Sequence, residues 1–351
     1  ENELSLNGLV LGVEGVFEIP DDSTYELDLR YFTRETSFKT LLSMIPAMYT
    51  SDFEGLTASG TLAIEGTAKG KVTDKVLPKV NLALKVKDGH FAYPDLPKSA
   101  DNIQVDLNVF YDGVYDDNSK IDLNTFHVEM AGNPVDANFH VITPMSDMQM
   151  TGAVKGMVDL TSLADVVPVE DMDLQGLINM NLELMGKMSD IENENYEAFK
   201  ADGLLEISNV LVSGCDVPVP VNVETMRMLF SPKYVHLEKF DLLMGKSDIH
   251  LSGRLENFIP YVFEDEIIRG ELNFASSNLN INELMGESTE ETVEETEDTS
   301  AMSVVEVPAN ISFVLQTKLD QVIYDQLEIE NLRGLLTVKD GILRMDMLDM
   351  E

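Results

Sequence analysis

Strict alternation of apolar and polar residues runs through most of this 351-residue chain, and no other feature restricts its fold as tightly. In Val80-Asn81-Leu82-Ala83-Leu84-Lys85-Val86 and Ile103-Gln104-Val105-Asp106-Leu107-Asn108-Val109 it places apolar groups on one face and polar groups on the other, as a half-buried β-strand requires. Ala137 to Val141, Met148 to Gly152, Leu272 to Phe274 and Ile311 to Leu315 repeat it, with Gly, Asp, Asn and Pro between the runs. Lys87-Asp88-Gly89-His90 and Lys339-Asp340-Gly341-Ile342 each predict a tight hairpin, because Asp-Gly supplies the positive φ of such a turn. Helical spacing is confined to three short stretches, Ser37 to Met44, Asp159 to Val167 and Asn280 to Met285, the first two closed by Pro46 and Pro168.

The pattern recurs. FHVEMAGNPVDANFHV from Phe126 matches FDLLMGKSDIHLSGRL from Phe240 at an offset of 114 residues, each a strand, a glycine-containing turn and a strand. GVEGVFEI near Gly12 matches the second half of this unit and GILRMDMLDM from Gly341 its first half. GTLAIEG at Gly60, GLINMNLELMG at Gly176 and ANISFVLQ at Ala309 each begin a unit. The expected organisation is the end of a first repeat over 1–46, a second repeat over 47–168 and a third over 169–286. An acidic linker follows over 287–303, then the start of a fourth repeat over 304–351. The linker core, ESTEETVEETEDTS, carries one apolar residue, Val293, and is expected to stay disordered. The chain begins without methionine and stops inside a patterned segment, which reads as a piece of something longer.

Lys and Arg number 24 against 63 Asp and Glu, a net charge of −39, so phosphate backbones and anionic surfaces are repelled and nucleic acid is excluded as a partner. The single cysteine, Cys215, allows no internal disulfide framework and has no metal-ligand neighbour at CxxC spacing. It reads as a small buried hydrophobe or an inert thiol. No run of about 18 apolar residues offers a membrane-spanning helix.

Catalytic motifs fail on geometry. Gly245-Lys246-Ser247 has the tail of a phosphate loop, but Phe240 stands where its first glycine belongs. Asp171-x-Asp173-x-Gln175-Gly176 opens like a calcium loop, but Leu182 occupies the position of the bidentate Glu. His90, His127, His140, His236 and His250 form no zinc signature, and no nucleophile elbow is present. His140 and His250 alternate with apolar neighbours in equivalent strands and are expected to face solvent. The chain is therefore expected to be no enzyme and to need no cofactor or metal.

A sheet with about seven or eight strands per repeat and almost no helix leaves its apolar face uncovered. It must close on itself as a packed core, or form a trough filled by ligand. The candidate lining is Leu62, Ile64, Leu82, Leu84, Val105, Leu107, Leu123, Val128, Phe139, Val141, Met180 and Leu182. It continues with Ile249, Leu251, Leu272, Phe274, Phe313 and Leu315. These are aliphatics with few rings. With 19 methionines and no tryptophan in the chain, they suit acyl chains better than sugars or bases. A packed core accounts for them equally, and a one-residue register slip would invert every assignment.

Strand pairs around Asp-Gly turns, the strand-then-helix endings DLTSLADVV at Asp159 and NINELMG at Asn280, and the repeat length together resemble the AsmA-like proteins, especially their Bacteroidetes form. The resemblance covers nearly the whole chain outside the acidic segment. It implies a mainly β fold, an elongated, curled antiparallel sheet of the taco-like, TamB-related, bridge-like lipid-transfer type. It further implies a periplasmic body in a Gram-negative cell, anchored to the inner membrane by a helix outside this sequence. The implied partners are phospholipid or another acyl-chain lipid, and outer-membrane components. The implied function is phospholipid transport between inner and outer membrane in support of outer-membrane integrity. The competing expectation is a non-catalytic scaffold of the envelope serving outer-membrane protein assembly.

Overall fold

The computed structural model describes residues 2–6, 9–33, 36–38, 57–93, 96–166, 172–214, 219–284 and 309–349. The helix expected beyond Phe38, Pro46, Pro168, Cys215 and the acidic segment lie outside the described residues. Among the described residues the fold is mainly β, with few short helices. The chain divides into two compact units, one of Glu1–Pro168 with Asn179–Ala201 and one of Val169–Ile178 with Asp202–Glu351.

The first unit opens with β1 (Asn2–Leu6), β2 (Leu9–Asp21), β3 (Thr24–Thr33) and the two-residue β4 (Thr36–Ser37). It continues with β5 (Thr57–Val72), β6 (Lys79–Ala92), β7 (Ser99–Tyr111), β8 (Lys120–Met130), β9 (Asn133–Ile142) and β10 (Gln149–Asp159). β3 pairs with β5, and from β5 to β10 each strand pairs antiparallel with the next. Helix α1 (Leu160–Ala164) starts where the Asp159 carboxylate accepts the N–H groups of Thr161 and Ser162, satisfying donors that the first helical turn leaves orphaned. β11 (Met172–Lys187) and β12 (Lys200–Gly214) have residues in both units, and α2 (Met188–Glu192) lies between them in sequence.

The second unit contains β13 (Val221–Phe230), β14 (Tyr234–Met244), β15 (Ser247–Glu256), α3 (Phe258–Glu264), β16 (Ile268–Ser276), β17 (Leu279–Asn280) and α4 (Ile281–Leu284). β18 (Ile311–Tyr324), β19 (Leu327–Lys339) and β20 (Ile342–Asp349) complete it. β12 to β16 pair antiparallel in chain order, as do β18 to β20. β16 and β18 pair parallel, Leu272 opposite Leu315, an exception to the expected antiparallel sheet. The long connection over 277–310 supplies the crossover that a parallel pair needs.

The two Asp-Gly pairs behave differently. Asp340 (φ 53°) and Gly341 (φ 72°) form the expected two-residue hairpin, with Lys339 opposite Ile342. Asp88-Gly89 is no hairpin. β6 runs straight through it, and Asp88 (φ 48°) sits in a bulge opposite Gly60 (φ 107°), with a third irregularity at Asn102 (φ 51°) on β7. An Asp-Gly pair meets its positive φ equally well in a bulge, and here the alternation resumes beyond it at Phe91. The second unit has the same crease, where a Cβ on Gly176 (φ 107°) would meet the carbonyl of Asn209 (φ 50°) at 2.4 Å.

The described residues of 47–168 hold six long strands, β5–β10, and those of 169–286 hold six, β11–β16, against the seven or eight expected of each repeat. The two segments matched at the 114-residue offset fold as the β8–β9 and β14–β15 hairpins, and Gly245-Lys246 is the turn of the latter.

Candidate functional site

Residues directly opposite in a ladder share a face of the sheet, so the registers sort every side chain of the first unit. Ile64 faces Leu84, then Leu107, Leu123, Phe139 and Gly152 in one row across β5 to β10. A row below it holds Leu62, Val86, Val105, Phe126, Ala137 and Val154; a row above holds Gly66, Leu82, Val109, Ile121, Val141 and Met150. The ten lining candidates on β5 to β9, Leu62, Ile64, Leu82, Leu84, Val105, Leu107, Leu123, Val128, Phe139 and Val141, therefore share one face. Leu123 and Val128 differ in parity and still agree, because β8 carries a bulge between Leu123 and Phe126. Gly152 makes room in its row, since a Cβ there would stand 2.7 Å from the Phe139 ring.

These three rows contain no charged side chain. The opposite face is laced with polar pairs: the ion pairs Asp28–Lys69 at 2.7 Å and Lys85–Asp106 at 3.8 Å, and the imidazole–carboxylate contacts Asp122–His140 at 3.1 Å and His127–Asp136 at 2.7 Å. A shallow depression lined by Arg30, Glu65, Asn81, Asn108, Lys120 and Asp122 belongs to this polar side.

The second unit follows the same rule. Met226, Phe240, Leu251, Phe274, Thr317 and Gly334 form one row; Met228, Leu237, Gly253, Leu272, Leu315, Leu336 and Met345 form the next. Phe230, Val235, Leu255, Gly270, Phe313 and Val338 form a third, and Ile249 stands opposite Leu242. All six candidates here, Ile249, Leu251, Leu272, Phe274, Phe313 and Leu315, share this uncharged face. Met180 and Leu182 lie on the half-buried side of β11 with Leu184, while Asn179, Asn181 and Glu183 are exposed.

The residues missed include Val86, Val109, Ile121, Phe126 and Met150 in the first unit and Met226, Met228, Leu237 and Phe240 in the second. The spacing of Met226, Met228 and Phe230 carries the same period-two signal.

Among the described residues cover stands at both ends of the strands of the first unit: α2 is tied to the 143–148 loop by Ser189 on the Asp147 carboxylate, at the end where Val141 and Met150 are buried, and α1 lies at the other. Phe38 and Val166, which follows α1, bury themselves with Leu62, Val86, Ala100, Ile103 and Val128. Lys98 ties α1 down through Asp165 at 3.0 Å and the Ser162 hydroxyl at 2.9 Å. In the second unit Leu279 is buried with Leu319, Val322 and Leu332, and Ile281 of α4 packs against them. The latch there is Asp248, whose carboxylate accepts the N–H groups of Ser277 and Asn278. Burial alone would raise its pKa, but these bonds, the Ser277 side chain and His250 outweigh it and hold the carboxyl at about 2. Elsewhere on the face, Ile64, Leu82, Leu84, Leu107, Leu123 and Phe139 are only half-buried.

The polar face keeps a record of the repeat. His127 on β8 pairs with Asp136 on β9, and at the 114-residue offset Asp241 on β14 pairs with His250 on β15 at 2.7 Å, the same cross-strand pair with its members exchanged. Among the described residues no group of three or more His, Cys, Asp or Glu could hold a metal ion, and no helix is long and apolar enough to cross a membrane. Comparison with protein-family models, with curated proteins and with solved structures finds no match.

Proposed function

We propose that the uncharged face of the sheet is a trough for lipid acyl chains, and that the chain serves phospholipid transport between the two membranes of a Gram-negative envelope. The observation that carries this reading is a face of three contiguous rows with no charge, whose middle row at Ile64, Leu84, Leu107, Leu123 and Phe139 is only half-buried, between ends where Leu62, Val86, Val141 and Met150 are buried. A packed core would bury those central residues, whereas an acyl chain laid on them completes the burial. At about 0.8 kcal/mol per methylene, shielding one chain stabilises the complex by on the order of 10 kcal/mol. Aliphatic lining with few rings accepts chains of varied length and offers no polar group to orient a sugar or a base. The AsmA-like resemblance of the sequence points the same way and adds the periplasmic setting.

The test is direct. Purified protein is extracted and the extract analysed for lipid by mass spectrometry; acyl chains are expected with the native sequence and a loss of at least about tenfold with Leu84→Asp plus Leu107→Asp, since a buried carboxylate is costly. A photo-crosslinker at position 84 should label lipid, whereas one at Lys85, on the ion-paired face, should not. Folded protein free of lipid, or equal labelling at both positions, overturns the reading. In cells, the double variant should fail to restore the outer-membrane barrier.

A further inference from the structure

The loops 73–78, 112–119 and 143–148 join β5 to β6, β7 to β8 and β9 to β10, so they lie together at the end of the first unit opposite α1. They are laced into one rim. Leu77 N–H donates to the Gly113 carbonyl at 3.1 Å, and the Lys79 ammonium meets the buried Asp112 carboxylate at 2.9 Å. Asp112 also accepts the N–H groups of Val114 and Tyr115 and the side-chain amide of Asn118. Asp117 reaches the next loop, accepting the N–H groups of Met145 at 2.9 Å and Ser146 at 2.8 Å.

This pinned backbone holds four large apolar side chains in solvent: Leu77 is 48% exposed, Val114 51%, Tyr115 67% and Met145 72%. One exposed aliphatic residue is ordinary; four on adjoining, mutually bonded loops mark an interaction surface. At the other end of the same strands the apolar groups are buried under Phe38 and Val166. The rim also runs into the uncharged face, because Ile121, the second residue of β8, is 43% exposed and begins the row beside Val109 and Val141.

We infer that this rim docks on a zwitterionic lipid surface, inserting Leu77, Val114, Tyr115 and Met145 among the headgroups; the inference rests on the acyl-chain reading of the adjoining face. Charge selects the surface. Exposed Asp74 and Asp116 repel anionic headgroups and complement the outermost ammonium groups of a zwitterionic lipid, with Lys75 the exposed base of the first loop. A tyrosine beside aliphatic tips suits an interface that is apolar on one side and wet on the other.

The chain has no tryptophan, so Tyr115→Trp places a sole indole at the rim, and Leu327→Trp places one at an exposed turn of the second unit as a control. With phosphatidylcholine vesicles, Tyr115→Trp emission should shift to the blue and be quenched by lipid brominated along its acyl chains, while Leu327→Trp stays unchanged. Phosphatidylglycerol vesicles at low salt should bind more weakly. Val114→Asp with Met145→Asp, both at exposed positions, should weaken the apparent affinity by at least about a hundredfold, as expected of the loss of two apolar anchors. No shift for Tyr115→Trp, an equal shift for Leu327→Trp, or tighter binding to the anionic vesicles each overturns the inference. Uptake of a soluble fluorescent fatty acid by the same proteins separates the two readings: uptake without vesicle binding removes the rim alone, and loss of both removes the trough as well.

Discussion

The two faces of the first unit are built from the same strands and differ only in the parity of their residues, yet they use opposite physics. Val86, Leu84 and Leu107 stand on one side; Lys85 and Asp106 stand between them in sequence and pair on the other. Packing within a single layer holds the apolar side together, because cross-strand aliphatic neighbours bury each other's flanks. Exposed ion pairs such as Lys69–Asp28 contribute little to stability in water, so the polar side keeps the sheet soluble rather than folded. The difference teaches that the uncharged side is the core of the sheet, buried near α1 and α2 and half-buried along its middle row.

The sharpest way to break that contrast is to put a charge on the wrong face. Val86 is 2% exposed, so Val86→Asp should destabilise the first unit by at least about 3 kcal/mol in urea unfolding followed by circular dichroism. Lys85→Ser, one residue away, should move the curve by less than about 0.5 kcal/mol. Equal effects would show that the faces are wrongly assigned. A milder intervention is Gly152→Ala, whose methyl must displace the Phe139 ring; a loss of about 1–2 kcal/mol is expected, and a gain would mean that the row is loosely packed.

The polar face should report through pH. His250 has its pKa raised, chiefly by the bond to Asp241 and then by Asp248, against the opposing effect of burial. A raised pKa stabilises the fold fully below the unfolded value of about 6.5 and loses that contribution as pH climbs through the folded value. Asp248, held at about 2, contributes above its unfolded value of about 3.9 and loses that as pH falls toward 2. Both contributions are present together between roughly pH 4 and 6.5. His250 is nearly half exposed, so solvent screening limits its share to within about 1 kcal/mol. The melting temperature should therefore fall slightly from pH 6 to pH 8, and His250→Asn should flatten that slope. The smallest effect belongs to Lys69→Met, which should leave the urea midpoint unchanged.

Particular residues show how far the pattern could be read in advance. The candidates from Leu62 to Val141 fell on one face because period-two alternation is a property of the backbone itself. Leu123 and Val128 share that face despite a phase change that nothing in their alternation announces, since both are aliphatic and the bulge lies between them. Asp88-Gly89 came out wrong because one dipeptide serves a hairpin or a bulge, and the choice depends on Gly60 in the facing strand, 28 residues away in sequence. The parallel pairing of β16 with β18 was also hidden, since strand direction is set by where the connection crosses, not by the residues of either strand.

Local chemistry in the sequence determined the strands, the short helices with caps such as Asp159, the repeat and the absence of charge from every second position, because each depends on neighbours within a few residues. Only the tertiary structure decided which parity became the half-buried face, where the crease falls, that the middle row of that face stays half-buried, and that three separate loops join into a rim carrying Leu77, Val114, Tyr115 and Met145. Each of these depends on register and on hydrogen bonds between residues far apart in the chain, and a one-dimensional pattern does not encode register.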